Sequence, residues 1–476
     1  MTTRRKFIQQ AGMAAAAFTI VPRFVLGKGY RAPSDTLYIA GIGVGGKGQS
    51  DIAQFATSGK ATISFLCDVD DRRAAKSVEN FPKAKYYKDY RKMLDAEHKH
   101  IDAVSVSSPD HMHGVQAMAA MQLGKHVYVQ KPLTHDIYEA RMLTEAAKKY
   151  KVVTQMGNQG ASGDGVRQMR EWYDAGTIGD VHTVYCWTNR PVWPQGIPWS
   201  DKKAEVPKEL DWDLWLGTAP YKDYVEKLVP FNWRGWWDYG TGALGDMACH
   251  IIEPPFRVLG LGYPTEVECS VGSVYVDEFK RGYFPESCPP SSHIIMTFPG
   301  KAGKPSVKFH WMDGGIQPER PEELGPNEMM GDGGNGVIMV GTKGKMMCST
   351  YGINPQLLPT SRTKEVNVPQ TIARVKGGAE PGHYHQWVEG CMAGYGKTEL
   401  SSSFDLSGPL TESVLMGNLA IRSYDIRKPR PGGREGQFDY PGRFIKLLWD
   451  GPSMKITNFD DANQFVKREY RAGWSM

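Results

Sequence analysis

The amino-acid sequence predicts an α/β protein: an N-terminal doubly wound parallel sheet of Rossmann type, then an α+β region carrying a large, mostly antiparallel sheet. Three observations predict it. Short apolar runs alternate with helix-compatible stretches up to residue 156. A glycine-rich turn closes the first of those runs. Past residue 157, short alternating runs among turn residues and tryptophans take over.

In the first region, Thr36 to Gly41 reads as a strand ending at glycines, followed by a helical stretch from Gln49 to Thr57. A second run, Thr62 to Cys67, stops at Asp68, and Arg72 to Val78 suits a helix, which completes a βαβ unit. The alternation repeats through the run Ile101 to Ser107, the helix Met112 to Leu123, the strand His126 to Gln130, the helix Ile137 to Tyr150 and the strand Val152 to Met156. Elements of these lengths in this order build a parallel sheet. In the second region, Val181 to Trp187, Glu266 to Val271, His293 to Phe298 and Ser306 to Trp311 alternate as antiparallel strands do. Glu412 to Arg427 returns to helical spacing, and the irregular stretches Trp193 to Leu210 and Met312 to Gly336 are expected to wall a cleft.

Ahead of the first strand, Arg4 and Arg5 precede an uncharged stretch from Phe7 to Pro22, diluted by Gln9, Gln10, Gly12 and Thr19. At about 16 residues it falls short of the roughly 20 that a membrane span needs. A removable twin-arginine leader is expected, read by the twin-arginine export machinery, with a periplasmic protein and no stable membrane anchor as the result. The chain thus divides into a signal and linker over 1–33, a nucleotide-binding domain over 34–156 and a substrate-binding and oligomerisation region over 157–476. The formal charge of +5 comes from six basic residues in 1–33; the remainder holds 51 basic against 52 acidic residues. A near-neutral mature chain gives no general electrostatic reason to bind nucleic acid. The seven cysteines are scattered with no C-x-x-C pair, so no disulfide framework is expected.

The glycine-rich turn, Gly41-Ile-Gly43-Val-Gly45-Gly46-Lys-Gly48, fits G-x-G-x-x-G from Gly41 and again from Gly43. Such a loop lets backbone amides approach a pyrophosphate at a helix N-terminus. Asp68, 20 residues past Gly48 at the end of the next strand, is placed to accept hydrogen bonds from a ribose diol and to repel a 2′-phosphate. The expected cofactor is NAD, and Arg72 and Arg73 leave NADP open. Carboxyl ends of parallel strands are where ligands bind, which makes Ser107, Pro109, His113, Gln130 and Lys131 candidates. Asp246 and His250, four apart, project from one helical face and fit a surface ion pair or a base with its partner. Asp246, His250 and Glu253, with His383 and His385, also offer oxygen and imidazole donors, but the spacing matches no recognised zinc pattern, and no metal is expected. Tryptophans crowd between Trp193 and Trp237 beside Arg190, Arg234 and Asp238; most are expected in the core, with some free to stack on a pyranose.

The run Gln130-Lys131-Pro132 at its strand end resembles the Glu-Lys-Pro signature of the Gfo/Idh/MocA oxidoreductases, with Gln130 in the place of the glutamate. The resemblance extends through Gly157-Asn158-Gln159 and through Gly240 to His250, which is similar to the family's second signature. It implies a Rossmann domain with NAD bound along Gly41, Gly43, Gly45, Gly46, Asp68, Ser107, Pro109, His113, Gln130, Lys131 and Asn158. It further implies His250 as the base, Asp246 orienting it or binding a hydroxyl, and Lys131 stabilising alkoxide character; the clustering of tryptophans with arginine makes Arg234, Trp236 and Trp237 candidates toward the substrate. The implied activity is oxidation of a secondary alcohol of a carbohydrate by a homo-oligomer, dimer or tetramer; with export of the folded protein to a periplasm that offers no obvious pool of free NAD, the cofactor is expected to be tightly bound and recycled. Two alternatives stay open: an NAD-dependent glycosidase or lyase working through a transient keto-sugar, and a sugar-binding protein without catalysis.

Overall fold

The computed structural model describes residues 35–301 and 303–476; the expected leader and linker over 1–33 lie outside the described residues. Six strands, β1 (Leu37–Ile42), β2 (Ala61–Cys67), β3 (Lys85–Tyr87), β4 (Ala103–Val106), β5 (His126–Val129) and β6 (Thr154–Met156), pair in parallel in the order β3-β2-β1-β4-β5-β6. The order reverses between β1 and β4, and that switch opens a crevice at the carboxyl ends of the strands. The helices α1 (Lys47–Thr57), α2 (Asp71–Asn80), α3 (Tyr90–Glu97), α4 (Asp110–Gln122) and α5 (Ile137–Tyr150) connect them. Local chemistry sets their starts. Asp70 caps α2 by accepting from the Arg72 amide, and Asp136 with Glu139 forms a reciprocal capping box on α5. The short pair β3 and α3 adds to the expected alternation; three residues are too few to show a period.

The second sheet has nine strands in the order β15-β14-β13-β7-β12-β11-β8-β18-β19. They are β7 (Val181–Trp187), β8 (Glu266–Val271), β11 (Ser292–Phe298), β12 (Val307–Met312), β13 (Gly336–Gly341), β14 (Gly344–Cys348), β15 (Gln356–Leu358), β18 (Leu447–Asp450) and β19 (Lys455–Ile456). Every neighbouring pair is antiparallel except β7 with β12. Two small hairpins, β9 (Tyr275–Asp277) with β10 (Lys280–Arg281) and β16 (Lys428–Pro429) with β17 (Phe438–Asp439), stand apart from it.

The long helix Phe404–Tyr424 joins the two sheets. It packs on α5 and β6 on one side and on β8 and β11 on the other, with Gly408 closing on Thr144 and Gly417 on Leu244 and Ile294. Residues 37–476 accordingly form one compact unit. The stretch 312–336 behaves differently from the expectation that it walls a cleft. Its Leu324 and Met330 lie on the second sheet against Trp187, Ile338, Met347 and Leu358, because that sheet face is apolar there and needs cover. Residues 466–476 run back over the first region: Tyr138 N–H donates to the Val466 carbonyl, Arg468 pairs with Asp136 and Glu139, and Arg471 reaches Asp213 and the Gly217 carbonyl. All seven cysteines are free thiols, and among the described residues no helix is long and apolar enough to cross a membrane.

Candidate active site

The carboxyl ends of β1, β2, β4 and β5 form one side of a cleft of about 910 Å³, and the second region closes the other side. On the strand side the chain leaves β1 at Ile42 and turns through Gly43, at φ +74°, where a Cβ would stand 2.6 Å from the Ser108 nitrogen. Gly48 is as tightly held, since a Cβ there would lie 1.8 Å from the Gly43 carbonyl oxygen. Only a chain without side chains at these points brings α1 this close to the loop. Helix α1 starts at Gly46 with no side-chain cap and no acidic residue in its first turn, which leaves first-turn amides for an anion.

Asp68, at the end of β2, accepts from Val44 N (2.9 Å) and Gly45 N (3.1 Å) through one oxygen and from Asp70 N (3.0 Å) through the other. Burial pushes its pKa up to about 6, against the pull of these amides. Arg72 is tied to Asp70 at 2.6 Å, whereas Arg73 lies on the cleft with its guanidinium beside Gly46. A carboxylate at the strand end, an uncapped helix start and glycines that a Cβ would block together fit a dinucleotide: Asp68 for the ribose, and the loop of Gly43, Gly45 and Gly46 for the diphosphate.

The floor of the cleft is a network that the sequence reading passed over. Asp51, on α1, is fully buried and accepts from Ser107 Oγ (2.8 Å), Gln130 Nε2 (2.8 Å) and Tyr384 OH (3.0 Å), with Lys47 Nζ at 3.3 Å. Gln159 Nε2 and Lys47 Nζ each donate to Tyr384 OH at 2.8 Å. Lys47 stands inside the glycine motif and Gln159 inside Gly157-Asn158-Gln159, so sequence motifs mark both. Asp51 and Tyr384 carried no signal at all.

The three candidate catalytic residues come together. Helix Gly242–Ile251 is pinned at its start, where Thr241 Oγ1 donates to Asp110 (2.7 Å) and Asn418 donates to the Thr241 carbonyl (2.9 Å). From it Asp246 meets Lys131, whose Nζ donates to the Asp246 carboxylate at 2.9 Å and to its carbonyl at 2.7 Å, while Arg234 Nε reaches the same carboxylate at 3.3 Å. Burial alone would raise Asp246, but Lys131 and Arg234 outweigh it and hold its pKa at about 2. One turn on, His250 faces the cleft with its Nδ1 buried and without a partner, and its ring packs edge-on to Tyr351 at 4.6 Å. Burial first, and the Lys131 charge second, push its pKa well below the usual imidazole value, so the ring is neutral and able to take a proton. Tyr351 holds a left-handed backbone at φ +65°, a strained position of the kind found at ligand sites.

Ser107, Pro109 and Gln130 also line the cleft, and Arg234 lies over Phe231 and Trp233 at 4.5 and 4.4 Å beside Trp193. Other expected residues stand behind the wall. Gly41 is in β1 against Val44 and Ile52, and His113 is buried between the Ser108 and Pro132 carbonyls, holding those two strand-end loops together. Asn158 is buried against Ser402, Trp236 packs on Trp199 at 4.7 Å, and Trp237 lies in the core below Arg422. Of the remaining oxygen and imidazole donors, Glu253 binds Arg257 at 2.6 Å, His383 contacts Ser162 and the Met156 carbonyl, and His385 contacts Thr57.

The Gfo/Idh/MocA family model described as oxidoreductase family, NAD-binding Rossmann fold, matches residues 37–158, and the model of that family's C-terminal alpha/beta domain matches 172–277. Both models are of the Gfo/Idh/MocA oxidoreductase family. The first, its NAD-binding domain, covers the region that holds the glycine loop and Asp68. Among curated relatives, a levoglucosan dehydrogenase of Pseudarthrobacter phenanthrenivorans is 23% identical over 195 residues, which is 41% of this chain and 42% of the relative. A glycosyl hydrolase family 109 protein of Shewanella sp. is 30% identical over 171 residues, which is 31% of this chain and 37% of the relative. The matched stretches thus span about two fifths of these relatives. Two solved structures share the fold. A levoglucosan dehydrogenase in complex with NADH and levoglucosan has a TM-score of 0.53 at 16% identity, covering 81% of this chain and 98% of that one. The WlbA dehydrogenase of Bordetella pertussis with NADH and UDP-GlcNAcA has 0.55 at 14%, covering 83% and 99%.

Proposed function

We propose that the protein is a nicotinamide-dependent oxidoreductase acting on a secondary alcohol of a sugar or glycoside. The observation that carries this reading is the placement of Lys131, Asp246 and His250 on the same cleft as the glycine loop. Bound NAD supplies the hydride acceptor. His250 takes the hydroxyl proton, Lys131 holds the oxygen as it gains negative charge, and Asp246 holds Lys131 in place. Arg234, with Trp193 and Trp233 also lining the cleft, suits a pyranose that offers C–H on one side and hydroxyls at its rim. Relatives and structural neighbours that are sugar dehydrogenases or hold sugar ligands support this substrate class.

A second reading draws on the 30% identity to glycosyl hydrolase family 109 proteins: transient oxidation acidifies a neighbouring C–H, the glycosidic group leaves as that proton is lost, water adds across the resulting double bond, and the hydride returns to the carbonyl carbon. The Arg4-Arg5 leader supports periplasmic residence, export by the twin-arginine route and a cofactor that travels bound and is recycled; assembly as a homo-oligomer belongs to the same reading. Denaturing the purified mature protein should release NAD(H), and incubation with simple sugars and aryl glycosides should yield a keto-sugar. Release of aglycone without net NADH would favour the second reading. Absence of nucleotide together with no turnover would leave a sugar-binding protein.

A further inference from the structure

The Glu-Lys-Pro signature puts a carboxylate immediately before its lysine, and this chain has Gln130 there. The structure nevertheless holds a carboxylate against that side chain. Asp51, reaching in from α1, takes Gln130 Nε2 and Ser107 Oγ on one oxygen, both at 2.8 Å, and Tyr384 OH on the other at 3.0 Å. It has no exposure, and Gln130 is 6% exposed. An amide is the side chain that this neighbour requires: Gln130 can donate to a carboxylate, whereas a glutamate in its place would set two carboxylates at hydrogen-bond distance in a buried site. Burial already pushes Asp51 upward, and the donors around it, Lys47 included, work to keep it ionised.

We infer that Asp51, paired with Gln130, is a positioning residue for the bound dinucleotide and supplies from α1 the carboxylate at this strand end. Asp51 is absent from the cleft surface and acts through residues that line it. Ser107 packs against Gly43, and Gln130 precedes Lys131, so one buried carboxylate sets the glycine loop and the site lysine together. This inference rests on the nicotinamide-dependent reading.

The test compares Asp51→Asn, Gln130→Glu and the double exchange, with NADH affinity read by fluorescence titration and the unfolding midpoint read without nucleotide. Each single change is expected to weaken NADH binding about tenfold or more, and the double exchange to return within about threefold of the unaltered protein. Gln130→Glu alone should recover affinity as pH falls from 8 to 5.5, because a protonated carboxyl restores the missing donor. Losses that simply add in the double exchange overturn the inference. So does recovery seen in the unfolding midpoint but not in NADH affinity, since that describes a pair that only holds the fold. If the unaltered protein binds no NADH, it is the nicotinamide reading of the site that fails.

Discussion

His250 shows how far one side chain's surroundings set its chemistry. An exposed imidazole titrates near neutrality, but here burial and the Lys131 charge favour the neutral ring. A base works in its deprotonated form, so activity should fall only as pH drops through this lowered value. The acid limb of kcat/KM is therefore expected below pH 6.5, and a limb at or above 6.5 would remove His250 from the base role. His250→Gln should cost about 10²-fold or more in kcat with little change in NADH affinity. The pair Asp246 and His250 was legible from four-residue spacing, and Lys131 from its motif. Tyr351 was not: its place opposite His250 comes from a left-handed turn between β14 and β15 that no local pattern announces. Trp236 and Trp237 misled for a related reason, since composition tells how many tryptophans cluster but not which ring faces inward.

Elements were most readable where one period persists. Helix α5 (Ile137–Tyr150), β7 (Val181–Trp187) and β8 (Glu266–Val271) have the bounds their sequence patterns imply. Strands β13 to β15 escaped notice because Gly336 to Gly341 is an apolar run without alternation, and β15 is three residues long. Between elements, the helix Asp164–Asp174 fastens a loop through Glu171, which takes the Arg374 guanidinium at 2.7 Å and the amides of Thr371 and Ile372. Arg374 first, then those amides, lower the Glu171 pKa to about 2. An acid with a depressed folded-state pKa stabilises the protein above its unfolded value and loses that effect as pH falls through the folded one. Glu171→Gln should thus lower stability at pH 7 by about 1–3 kcal/mol. In urea unfolding, the gap from the unaltered protein should narrow as pH goes from 4.5 toward 2; a gap independent of pH would show that charge has no part in it.

For the molecule as a whole, the order of parallel sheet and then mostly antiparallel sheet was legible, because the period of the apolar pattern changes near residue 157. What the sequence could not show is how the parts are tied, since the ties are contacts between distant residues. The helix Phe404–Tyr424 is one, and the segment 466–476 is another. Arg468 pairs with Glu139 at 2.8 Å and with Asp136 at 3.7 Å, and both acids are buried. Arg468→Ala leaves the buried Glu139 carboxylate without the guanidinium it pairs with and should cost about 3–5 kcal/mol, read as a lower urea midpoint. Unchanged stability would mean that the acids find another partner. The same contact also sets an order of events in synthesis. Arg468 is made 329 residues after Glu139, which at about 5–20 residues per second is a delay of roughly 15–65 s. Through that interval Glu139 lacks the guanidinium it binds in the folded protein, so the final packing of the NAD-binding half waits for a residue at the far end of the second half.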